Sequence, residues 1–150
     1  MGVMTTISPF GATITTDDIV DTLGFFDDWE ERYRYIIDLG KQLPVMAASL
    51  RTDDRLISGC QSQVWIDHRI QDDLIFFDVD SDAHIVRGLL GVIMSAYNGK
   101  LPQDIISFDI EGYFNQLDLV KHLSPTRGNG LRAMVARIRQ IAEIQQNPSP

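Results

Sequence analysis

Cysteine is almost absent from this chain: Cys60 is the only one. A lone thiol cannot close an intrachain disulfide, build a multi-thiolate zinc site or hold an iron-sulfur cluster by itself. Long apolar runs are missing too. No stretch approaches the roughly 18 apolar residues of a membrane span, and Met1 to Phe10 lacks the basic start and apolar core of a secretory signal. The expectation is a soluble, cytoplasmic protein without a membrane partner. Basic residues are few, 13 Lys and Arg against 21 Asp and Glu, for a net charge of -8. That balance opposes phosphate backbones, so no direct nucleic-acid partner is expected. The three histidines, His68, His84 and His122, are too scattered for a metal motif, and no metal is expected. There is no Gly-x-Ser-x-Gly elbow, no His-Glu-x-x-His helix and no phosphate-cradling glycine loop, so an autonomous hydrolase is the weakest reading.

What remains is ordinary globular material, 44% hydrophobic and 23% charged over 150 residues. A length of this order buries one core, which gives a single domain over residues 1–150 with flexible ends at about 1–13 and 145–150. Charge is uneven, with Asp17, Asp18, Asp21, Asp27, Asp28, Glu30 and Glu31 early and Arg127, Arg132, Arg137 and Arg139 late. A solvated face is the plain reading of that asymmetry, and orientation of a protein partner is the functional one.

Capping residues and apolar spacing set the expected elements. Thr15-Thr16-Asp17-Asp18 opens a helix to Phe25, and Asp27 with Glu30, or Asp28 with Glu31, opens a second that Gly40 stops. Leu43-Pro44 starts an irregular stretch to Gly59. Alternation from Gln63 to Ile70 and an apolar, aromatic run from Leu74 to Val79 predict a hairpin turning at Asp72-Asp73. A strong helical stripe runs from Ile85 to Ala96, with Asp82 as its candidate cap and Asn98-Gly99 as its end. Pro102–Ser107 and the Tyr113 to Leu119 region read as short helical pieces, and a final helix follows a Gly128-Asn129-Gly130 entry. Helices, a hairpin and more helices make an α+β domain with a small antiparallel sheet packed against several helices.

Cys60 lies between flexible Gly59 and the polar Gln61-Ser62-Gln63, just before the first expected strand. A thiolate so placed can attack the outer sulfur of another protein's persulfide. The competing interpretation is a small apolar side chain in the core, the common fate of free cysteine. Arg127 can stabilise a thiolate or contact a partner through its guanidinium fork, or be an ordinary solvated arginine. Trp29 and Trp65 suggest packing only.

Gly59-Cys60-Gln61-Ser62-Gln63-Val64-Trp65 resembles the cysteine signature of the SufE family. Tyr35 to Pro44, Ile85 to Leu90 and His122-Leu123-Ser124-Pro125-Thr126-Arg127 with Gly130-Leu131 resemble it in the same order, so the likeness runs from about Ile14 to Ala142. Pro9-Phe10-Gly11, Gly40 to Pro44 and Arg87 to Leu90 lean towards the CsdE branch, whereas Gln61-Ser62-Gln63 leans towards SufE itself. The resemblance implies that Cys60 is the persulfide-carrying catalytic residue, with Gly59, Gln61 and Arg127 as candidate partner contacts. It implies a SufS-type or CsdA-type cysteine desulfurase as donor, stimulated by the carrier, with pyridoxal phosphate belonging to that partner and no cofactor bound here. An iron-sulfur scaffold or a CsdL-type enzyme is the implied acceptor. It further implies a cysteine loop that rests against an apolar cavity and swings out on docking. On this reading the chain is an accessory to an enzyme. The alternatives are an allosteric binding module with Cys60 structural and a redox sensor, the latter disfavoured by the lack of a resolving cysteine.

Overall fold

A computed structural model describes residues 8–58 and 62–146. The element order is α1 (Thr16–Phe25), α2 (Trp29–Lys41), two short 3-10 turns, β1 (Val64–Gln71), β2 (Leu74–Ser81), α3 (His84–Tyr97), α4 (Pro102–Ser107), α5 (Ile110–Leu117), a third 3-10 turn and α6 (Pro125–Gln146). The fold is α+β: one two-stranded antiparallel sheet and six α-helices among the described residues.

Local chemistry accounts for the helix starts. Thr15 and Asp18 form a reciprocal capping box at α1, and the Asp28 carboxylate accepts the Glu31 N–H at 2.8 Å to cap α2. Gly40 does not end α2, which runs on to Lys41. Its role is close approach: a Cβ at Gly40 would lie 2.7 Å from the Gly88 nitrogen, and one at Gly88 would lie 2.0 Å from the Ile36 carbonyl oxygen. The missing side chains let α2 and α3 pack backbone to backbone. Every residue of α3 except His84 and Arg87 is buried, so this helix is the centre of the core.

The hairpin forms where expected, pairing from Val64 with Ser81 to Gln71 with Leu74, although burial along β1 grades from buried Val64, Trp65 and Ile66 to exposed Arg69, Ile70 and Gln71 rather than alternating. Asp72 and Asp73 form the two-residue turn, both with positive φ, 55° and 67°. That backbone matches a type I′ turn, whose twist suits a two-residue hairpin and which acidic side chains tolerate. Ile75 also exchanges backbone hydrogen bonds with Gly99 and Lys100, covering part of the outer edge of β2.

Two other expectations change. Asp82 does not cap α3, whose start at Ala83 has no side-chain cap; the Asp82 carboxylate accepts the Gln63 N–H at 3.0 Å instead. The last helix begins at Pro125 rather than after the glycines. Ser124 caps it by accepting the Arg127 N–H at 3.2 Å, and Pro125 sits where its missing N–H costs nothing. Gly128 and Gly130 are buried inside the helix. At the other end, within the stretch expected to be flexible, Phe10 is 1% exposed and its carbonyl accepts from the buried Asn98 side chain at 3.1 Å.

Candidate functional site

Cys60 lies outside the described residues, as do Gly59 and Gln61. The stems on either side of them are defined. The Ile57 N–H donates to the Val64 carbonyl at 2.8 Å, and Leu56 bridges Trp65 in antiparallel fashion. Leu56 therefore lies along the edge of β1 opposite β2. On the far stem the Gln63 carbonyl accepts from the Ser81 hydroxyl at 2.7 Å and from the Asp82 N–H at 3.3 Å, while the Gln63 N–H donates to the Asp82 carboxylate at 3.0 Å. Both stems are thus anchored to the base of the hairpin.

Beside the second stem is a small recess of about 20 Å³, lined by Ser62, Val64, Val86, Thr126, Arg127, Gly130 and Met134. That volume holds about one water molecule. Its walls come from the stem at Ser62, β1, α3 and the start of α6, and among the described residues Arg127 is the one cation that lines it. Arg127 Nη1 is buried and has no hydrogen-bond partner among the described residues. A cation in the first turn of a helix also faces the positive end of the helix dipole. Both features run against its local environment, and both are relieved when an anion is brought to it.

Beneath the stems lies a charge cluster that periodicity did not reveal. Asp80, the cross-strand partner of Trp65, has a fully buried side chain. Its carboxylate accepts the Met46 N–H at 2.9 Å, the Ser81 N–H at 2.8 Å and Arg51 Nη2 at 2.7 Å, and it pairs with Arg87 Nη1. Burial opposes the charged form, but the Met46 and Ser81 N–H groups, with Arg51 and Arg87, outweigh it and hold Asp80 below the ordinary aspartate pKa. Arg87 also donates to the carbonyls of Gly40 and Leu43, tying the end of α2 to the same centre. The Arg51 guanidinium lies over the Trp65 ring, 5.5 Å from its centroid. In the sequence Asp80 shares the strand phase of the half-exposed Asp78, two residues before it, and so reads as outward-facing. The nearest signal was the pair of arginines, 29 residues before it and 7 after it.

Trp29 packs, as expected, against the core and stacks on His122 with ring centroids 4.1 Å apart. This joins the start of α2 to the turn before α6. Among the described residues no group of three or more His, Cys, Asp or Glu side chains is placed to hold a metal ion, and no helix is long and apolar enough to cross a membrane.

Comparison with known proteins gives a consistent result. A family model described as "SufE: Fe-S metabolism associated domain" matches residues 17–142. An uncharacterised SufE-like protein of Rhizobium etli is 45% identical over 133 residues, covering 86% of this chain and 90% of that protein. One from Rhizobium meliloti is 44% identical over 131 residues, covering 85% and 94%. The solution structure of a hypothetical protein from Thermus thermophilus has the same fold, with a TM-score of 0.71 at 14% identity, covering 87% of this chain and 95% of that one.

Proposed function

This chain belongs to the SufE family, whose domain is associated with iron-sulfur metabolism, and from that premise we propose that it is a sulfur carrier charged at Cys60 by a cysteine desulfurase. The observation that carries the proposal is the pairing of anchored stems around the sole cysteine with a small recess in which a buried Arg127 N–H has no partner among the described residues.

In the proposed step the Cys60 thiolate attacks the outer sulfur of the donor's cysteine persulfide. The donor S–S bond breaks, its electron pair leaves on the donor thiolate, and a new S–S bond holds the transferred sulfur on Cys60. Atoms and electrons balance without an added oxidant. Arg127 supplies an N–H donor and positive charge for the anionic form of the persulfide. Gly59 gives the loop backbone freedom, and Gln61 is a partner contact. The recess shields the sulfur between transfers, and docking of the donor draws the loop outward.

Pyridoxal phosphate belongs to the donor, a SufS-type or CsdA-type enzyme, and no cofactor is assigned to this chain. Relieving the donor of its sulfur frees it for another turnover, so the carrier acts as its accessory. The protein works in the cytoplasm, and the CsdE-like segments favour a CsdA-type donor with a CsdL-type acceptor over direct supply of an iron-sulfur scaffold.

The test is intact-protein mass spectrometry without reductant after incubation with a desulfurase of each type and free cysteine. The expected result is a gain of one sulfur atom that disappears with reductant and is absent in Cys60→Ala. No gain with either donor would overturn the carrier function and leave an allosteric binding module in which Cys60 is structural.

A further inference from the structure

We propose that Arg51 is a positioning residue for sulfur transfer, fixing the point from which the Cys60 loop departs; the proposal rests on the carrier function above. The argument starts from what Arg51 spans. Its guanidinium ion-pairs with buried Asp80 and covers the Trp65 ring, so it bridges two residues that face each other across β1 and β2. Trp65 in turn bridges Leu56, which lies four residues before Cys60 in the chain.

The segment from Arg51 to Ile57 is thereby tied at its start, middle and end. Arg51 holds the start. Arg55 holds the middle, through a 3-10 turn over Asp53–Arg55 and an ion pair from its Nε to Asp67 at 3.3 Å. Leu56 and Ile57 hold the end through β1. Ser81 and Asp82, next to Asp80 in the chain, hold Gln63 on the other stem. One buried carboxylate therefore lies at the root of both stems, and Arg51 connects it to the stem that leads into Cys60.

Arg51 does not account for the stability of that carboxylate. Asp80 keeps Arg87 and two backbone N–H donors when Arg51 is removed. The Arg51 side chain is 36% exposed against 14% for Arg87, so its loss strands no deeply buried charge. Its geometry serves placement: a planar guanidinium satisfies a carboxylate and an aromatic face together, which an ammonium does poorly. In-line attack of one sulfur on another is sensitive to approach, and a displacement of about 1 Å costs on the order of a hundredfold in rate. A stem freed at its start spends less time with Cys60 on that approach.

The experiment uses Arg51→Met and Arg51→Lys, and measures single-turnover sulfur transfer from a desulfurase loaded with persulfide. For Arg51→Met we expect the saturated transfer rate to fall about tenfold or more. The desulfurase concentration giving half that rate should stay within twofold of the parent. Arg51→Lys keeps the charge, loses the planar stacking and should lie between the two. If Arg51→Met fails to fold, Arg51→Lys carries the same test with the same direction. Transfer at the parent rate in a folded variant, or a loss confined to the half-saturating concentration, would falsify the positioning role. A parent protein that gains no sulfur overturns the carrier function first, and this role with it.

Discussion

Replacing Gly88 with alanine is expected to destabilise the protein by about 3 kcal/mol, through overpacking of a close-packed core. The new Cβ would lie 2.0 Å from the Ile36 carbonyl oxygen and 2.7 Å from the Ile36 Cγ2. Alanine's better helix propensity returns only about 1 kcal/mol, so the clash decides the sign. Relief requires α2 and α3 to separate, and α3 is the helix around which the core is built. For a domain of this length each kcal/mol moves the thermal midpoint by roughly 2–4 °C, so the expected fall is about 6–12 °C. Gly24→Ala is the control, because a Cβ there meets nothing within 4 Å and should stabilise α1 slightly. Equal midpoints for Gly88→Ala and the parent would mean that the two helices separate without cost.

The second large effect is expected from Asp80→Asn. Removing the charge leaves Arg87 partly buried beside a neutral amide, and breaking one side of a buried ion pair costs about 3–5 kcal/mol. Arg87 keeps the carbonyls of Gly40 and Leu43, which places the expectation at the lower end of that range. The pH dependence separates charge from shape. Because the folded pKa of Asp80 is below the ordinary 3.8, its ionisation stabilises the fold fully above that value. The contribution is lost as pH falls from there through the folded pKa. Urea unfolding at pH 7 should therefore show the full gap between parent and variant, and the gap should narrow below about pH 4. A gap unchanged between those conditions would assign the effect to packing.

Much of the fold was legible because local signals agreed with one another. The hairpin carried alternation on its first strand, an apolar, aromatic run on its second and a turn pair suited to positive φ, and the α3 stripe was strong enough to define a buried helix. Gly40 and the Gly128-Asn129-Gly130 run misled for one reason. Glycine suits both a helix boundary and a close contact, and only the neighbouring element decides which applies. At α6 the Ser124-Pro125 start signal was the stronger one. In the site, the sequence singled out Cys60 and Arg127 as candidates, while the recess draws its walls from residues 62–64, 86 and 126–134. No periodicity brings such segments together. Asp80 was hidden by its phase in β2, since alternation reports which way a side chain points and not what later covers it.

The hairpin has unequal ends. Its base is engaged by the clamps on Gln63, while Asp72 and Asp73 at the tip are exposed. Eight residues of strand separate the two, a span of roughly 25 Å. Added chain is tolerated best at exposed turns, so the tip is where this scaffold has room to grow. A tether, a tag or an inherited insertion placed there lies a strand's length from the anchored stems that flank Cys60, and new attachments can arise at that end without disturbing the other.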